Sequence, residues 1–107
     1  MIGSVIVSLE GTKILPKEQQ LLENPVVGGL VLFQENWQNH LENPIEALRQ
    51  LVNEIRTINP NILIMVDHEG GKIWRFEKGF TPLPTAKSFG QTYDQDPNKA
   101  LDDAFRF

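Results

Sequence analysis

An α/β fold built on a parallel sheet is what this sequence predicts, and three observations carry the prediction. Residues 5–9 (VIVSL), 26–33 (VVGGLVLF) and 62–66 (ILIMV) are short apolar runs, rich in β-branched residues and almost without polar alternation. That is the pattern of strands buried on both faces of a parallel sheet. Segments with helical spacing and helical punctuation stand between the runs, so the order is β-α-β-α-β, with a helix start at the end of the chain. Alternation of this kind implies right-handed crossovers and a parallel sheet, either doubly wound or opening a barrel.

The first helix begins at Pro16, in PKEQQLLEN, and Asn24-Pro25 stops it. The second, NPIEALRQLVNEIRTIN, is longer: Asn43 caps it, Pro44 takes the first helical position and Glu46 stands where a capping-box acid belongs. Its Ile45, Leu48, Val52 and Ile55 share one face at helical spacing, and Asn59-Pro60 ends it. Residues 67–97 read as a long loop, which in a compact domain is functional or disordered as a rule. The tail repeats the start signal, Asp96 then Pro97, and places Ala100, Leu101, Ala104 and Phe105 on one face.

Composition excludes several classes. With 40% hydrophobic and 22% charged residues over 107 positions, the chain is a globular domain and not a disordered tail. The net charge is −4 and the basic residues are scattered, so no stripe can hold phosphates and no nucleic-acid partner is expected. Without cysteine there is neither a disulfide framework nor a thiolate ligand or nucleophile. The N-terminal apolar run is too short for a signal sequence or a membrane span, so no membrane association and a cytoplasmic location are expected.

Chemistry concentrates in VDHEGGKIWRF, residues 66–76, directly after the third strand. In α/β folds sites form at the carboxyl ends of strands. Asp67 and Glu69 are two residues apart, which in extended backbone puts them on one side with Cα atoms roughly 6 to 7 Å apart. Two readings follow: the paired carboxylates of a glycosidase, or one acid on a hydroxyl and the other on a backbone amide or Arg75. Gly70-Gly71 offers positive φ or room for close approach. EGGK lacks the G-x-x-x-x-G-K-[ST] spacing and is not a phosphate loop. His68 could be a metal ligand or a general base, but its only fellow histidine, His40, lies at no metal-ligand spacing, so no metal is expected. The Arg75 guanidinium can fork onto vicinal hydroxyls or a carboxylate, or pair with Glu77 or Asp67. Trp37 and Trp74 are sugar platforms or packing residues.

The segments LEG (residues 9–11), NPVVGGLVLFQEN (24–36), VDHEGGKIWRFEKGFTPLP (66–84) and AKSFG resemble, in order and spacing, the N-terminal part of glycoside hydrolase family 3. Within that family they resemble the bacterial β-N-acetylhexosaminidases of cell-wall recycling. The resemblance covers nearly all of residues 3–90. It implies a TIM-type (β/α)8 barrel, of which residues 1–107 supply about three β/α units without an internal boundary, since such a barrel takes about 250 residues. It also implies retaining hydrolysis of terminal N-acetylglucosamine from peptidoglycan fragments, with no cofactor.

On this resemblance Asp67 binds hydroxyls of the non-reducing sugar and Arg75 belongs to the same substrate pocket. The family's nucleophile lies in a late Ser-Asp-Asp type motif, and its acid/base histidine follows a Lys-His-Phe-Pro-Gly-His type motif. Neither occurs here, and Asp102-Asp103 does not match, so no catalytic residue is assigned. Ser8 stands where the family has an aspartate, Glu35 where it has arginine, and His68 where glutamine is commoner. Two expectations follow. Either the chain is the substrate-side part of a hexosaminidase completed by another, complementing chain, or it is a truncated, inactive module that associates with itself.

Overall fold

The computed structural model describes residues 3–37 and 42–107, so the expectation for His40 lies outside the described residues. The chain divides into two compact units, Met1–Asp67 and His68–Phe107.

The first unit is built on three parallel strands, β1 (Val5–Ser8), β2 (Val27–Leu32) and β3 (Leu63–Val66), in the order β1-β2-β3. Helix α1 (Pro16–Leu22) joins the first two strands and α2 (Pro44–Ile58) the last two, after a single 3-10 turn at Gln34–Asn36. Each boundary has a local cause. Pro16 and Pro44 sit in the first turns, where a missing N–H costs nothing. Asn43 caps α2 by accepting the Glu46 amide at 3.4 Å, while the Glu46 carboxylate lies 3.7 Å from Arg49. At the far end the Asn59 amide group donates to the carbonyls of Leu22 (3.1 Å) and Val27 (3.2 Å), tying the end of α2 to both ends of the α1–β2 connection.

Burial departs from the strand expectation on one face. Leu30 and Leu32 point to one side by the two-residue alternation of a strand, and together with Leu9, Leu22, Val27, Leu51, Ile55 and Ile62 they are buried. On the other side the register aligns Ile6, Gly29 and Leu63, and here Ile6 is 60% and Leu63 54% exposed. Gly29 permits close cover on this face. A Cβ there would come 2.9 Å from Met65 Cε and 3.1 Å from Ile6 Cγ1. The helix face also shifts. Pro44, Leu51 and Ile55 are buried, whereas Ile45 is exposed and Val52 half-buried, so the core stripe runs through Pro44 and Leu51 in place of Ile45 and Val52.

The second unit corrects the reading of residues 67–97 as loop. A helix, α3 (Ala86–Gln95), occupies its last third, capped by Thr85, whose Oγ1 accepts the Ser88 amide at 3.1 Å. None of its residues is buried, and Gly90 lies within it, so neither an apolar stripe nor a run of strong helix formers announced it. Helix α4 (Pro97–Arg106) starts as its signal predicts, with Asp96 Oδ1 accepting the Lys99 amide at 3.0 Å. Of its apolar face Ala100 is buried, but Leu101 (66%) and Phe105 (93%) are exposed.

Candidate functional site

In the first unit, the site candidates sit beyond the carboxyl ends of the strands. Leu32 and Val66 are register partners, so Phe33 and Asp67 leave the sheet at the same level. Asp67 is half-buried. The neighbouring connections are held by two buried polar side chains that the sequence reading passed over.

Asn36, 2% exposed, accepts the Phe33 amide at 2.8 Å through Oδ1 and donates through Nδ2 to the carbonyls of Leu9 (3.1 Å) and Gly11 (2.7 Å). One amide group thereby joins the turn after β2 to the loop after β1. Glu18, 5% exposed, accepts the amides of Glu10 and Leu15, each at 2.7 Å. A buried carboxylate is tolerated because both oxygens are committed to N–H donors at a helix N-terminus. Glu18 carried a readable signal, an acid three residues beyond the N-cap Leu15. Asn36 carried none, since an asparagine in a turn is ordinarily solvated.

Charges nearby are solvent pairs. Lys17 and Glu10 meet at 2.5 Å, and the hydrogen bond to Glu10, then its charge, raise the ammonium pKa. Both side chains are exposed, where such pairs contribute little. Ser8 and Glu35, the two departures from the family pattern in this unit, are exposed.

In the second unit, residues 68–76 form a tight hairpin. The Glu69 amide donates to the Ile73 carbonyl at 2.9 Å and the Ile73 amide to Gly70 at 3.3 Å. Gly70 and Gly71 have φ of 76° and 61°. Both roles expected of the glycine pair are present, because a Cβ on Gly70 would also stand 2.6 Å from the Leu83 carbonyl oxygen. Positive φ at the first corner residue, Gly71, is what a two-residue hairpin turn requires.

The His68 imidazole lies half-buried against this hairpin. Its Nδ1 accepts the Arg75 amide at 3.3 Å, its ring stacks on Phe76 (6.2 Å, 28°), and Trp74 meets it edge-on (6.2 Å, 87°). Phe76 is buried and tilts against Phe80 at 5.3 Å. Trp74 is half-buried with its indole N–H donated to the Phe76 carbonyl at 2.6 Å, and Trp37 is buried. Packing therefore accounts for Trp37, while Trp74 keeps a part-exposed ring. Arg75 is half-buried, whereas the Glu69 side chain is exposed. Asp103, on α4, is engaged in an ion pair with Lys99 one turn back. Among the described residues no three His, Asp or Glu side chains cluster as metal ligands, and no helix is long and apolar enough to cross a membrane.

A parallel sheet with Asp67 just past the carboxyl end of a strand is the arrangement shared by α/β barrels and doubly wound folds. The pattern described as the glycosyl hydrolase family 3 N terminal domain matches residues 2–105, and the chain belongs to that family. Among curated relatives it is 43% identical over 100 residues to a β-hexosaminidase of Chromobacterium violaceum, covering 92% of this chain and 27% of that protein. It is 41% identical over 95 residues to a β-hexosaminidase of Thioalkalivibrio sulfidiphilus, covering 88% of this chain and 26% of the relative.

Solved structures agree. NagZ from Neisseria gonorrhoeae in complex with zinc ion superposes with a TM-score of 0.80 at 38% identity, over 96% of this chain and 30% of the other. The same enzyme in complex with N-trifluoroacetyl-D-glucosamine gives 0.76 at 40% identity, over 89% and 27%. The chain thus spans little more than a quarter of the length of the relatives it matches, and its fold is the N-terminal portion of their TIM-type barrel.

Proposed function

We propose that residues 1–107 form the substrate-side portion of a β-N-acetylhexosaminidase that releases terminal N-acetylglucosamine from peptidoglycan fragments in the cytoplasm. Within it, Asp67 binds sugar hydroxyls and Arg75 contacts the same sugar. The observation that carries the reading is the place of Asp67. It is the first residue past the carboxyl end of β3 in a chain 43% identical to a β-hexosaminidase, and strand ends are where barrel enzymes keep their substrate contacts. A carboxylate there offers acceptor-only oxygens, suited to donated sugar hydroxyls. The Glu69 side chain is exposed, and its backbone amide, not its carboxylate, is bonded within the hairpin.

The test joins residues 1–107 to the remaining portion of the Chromobacterium violaceum enzyme. Asp67→Ala is expected to lower kcat/KM by about tenfold to a hundredfold, the loss of charge-assisted bonds worth roughly 1.5 to 3 kcal/mol. Arg75→Lys should also weaken catalysis, because lysine keeps the charge and loses the fork. Glu69→Ala is expected to act through loop stability. Unchanged kinetics for Asp67→Ala would remove it from the pocket.

A second reading, an inactive module that associates with itself, is favoured by the exposure of Ile6 (60%), Leu63 (54%), Leu101 (66%) and Phe105 (93%). Apolar surface left wet forfeits about 25 cal/mol per Å², and β1 and β3 are both edge strands with unpaired backbone groups. Sedimentation at micromolar concentration should show dimers or larger species. A monodisperse monomer that unfolds cooperatively would remove this reading.

A further inference from the structure

We infer that His68 is a positioning residue for Arg75: its ring sets the backbone from which the guanidinium departs. The inference deepens, and rests on, the reading of Arg75 as a sugar contact. The imidazole engages three consecutive residues. Nδ1 accepts the Arg75 amide at 3.3 Å, and the residues on either side of Arg75 supply the rings against which the imidazole lies, Trp74 edge-on and Phe76 stacked.

Those two rings are themselves fixed. The Trp74 indole N–H is bonded to the Phe76 carbonyl at 2.6 Å, and Phe76 is 5% exposed and packed on Phe80. The hairpin closed by Gly70 and Ile73 brings His68 to face residues 74–76, because the turn cornered at Gly71, with its positive φ, reverses the chain between them. The side chain of an arginine is long and rotamer-rich, so the direction of its Cα–Cβ bond is the part of its placement that the fold can determine. His68 determines it through an acceptor, and acceptor and ring are separable chemically. Asparagine keeps an acceptor on Cγ, where Nδ1 is attached, whereas phenylalanine keeps the ring and has none.

Hydrogen exchange at the Arg75 amide of the 107-residue chain, read by mass spectrometry with residue-level fragmentation, tests the inference whether or not the chain associates. His68→Phe is expected to speed exchange about tenfold, the consequence of leaving a part-buried amide without its acceptor. His68→Asn should stay within about threefold of the parent chain. Equal rates in all three chains, or equally fast exchange in both variants, would overturn it.

Titration of N-acetylglucosamine into residues 1–107 joined to the remaining portion of the Chromobacterium violaceum enzyme, as parent, supplies the functional arm. His68→Phe should bind about tenfold more weakly than the parent, with His68→Asn restoring affinity. If Arg75→Ala weakens binding while His68→Phe does not, the positioning role is wrong and the sugar contact stands. If Arg75→Ala binds as the parent does, or the parent binds no sugar, the reading of Arg75 as a sugar contact fails, and with it the functional part of the inference.

Discussion

Asn36→Ala is expected to lower the stability of the chain by about 2 to 4 kcal/mol. The substitution strips the Phe33 amide of its acceptor and the Leu9 and Gly11 carbonyls of their donor. The site is buried, so water cannot replace the missing partners without opening the turn. Urea denaturation followed by Trp37 fluorescence reports the change, since Trp37 is the next residue and is itself buried. The midpoint should fall with the slope unchanged.

Asn36→Asp separates acceptor from donor. It retains an oxygen for the Phe33 amide but turns a second, charged oxygen toward two carbonyls, so at neutral pH it should destabilise at least as much as alanine. A loss of less than about 0.5 kcal/mol for Asn36→Ala, the range of ordinary surface substitutions, would show that this amide group does not hold the two connections together.

The second large effect is catalytic. The 107-residue chain is expected to release no chromophore from a chromogenic N-acetylglucosaminide above the buffer rate. Retaining hydrolysis needs a nucleophile that forms a glycosyl-enzyme bond, and an acid/base that protonates the leaving oxygen and then activates water. No segment among these residues matches the family motifs that carry either group. The acids at hand have other work. Asp103 is paired with Lys99, Glu18 holds two backbone amides, and the Glu69 side chain points to solvent beside a hairpin. Turnover abolished by Asp67→Ala or Glu69→Ala would restore the carboxylate pair as a catalytic device. Turnover indifferent to both changes, in a preparation free of contaminating enzyme, would also overturn the expectation, and would place catalysis on other residues.

Much of the fold was readable because its elements are punctuated locally. The three apolar runs became the three strands, and the Asn-Pro and Asp-Pro pairs marked the starts of α2 and α4 to the residue. Helix α3 was not readable. It buries none of its residues and contains a glycine, and its one clear signal, the Thr85 cap, lies inside a run of loop-forming residues. The stripe of α2 was misplaced by one position at each of two points. Leu51 and Val52 are both apolar, and only the direction from which the sheet approaches decides which is buried.

By itself the sequence determined the order of strands and helices, the location of the polar cluster after β3, and the family, because apolar periodicity, capping chemistry and a long motif are properties of adjacent residues. Tertiary structure alone decided what the individual polar groups do. Asn36 reaches carbonyls 25 and 27 residues away. His68, a candidate ligand or base as a letter in the sequence, becomes the acceptor for an amide seven residues on once the glycine pair reverses the chain. Hydrogen-bond partners across such separations depend on where the backbone returns in space, and no local pattern encodes that.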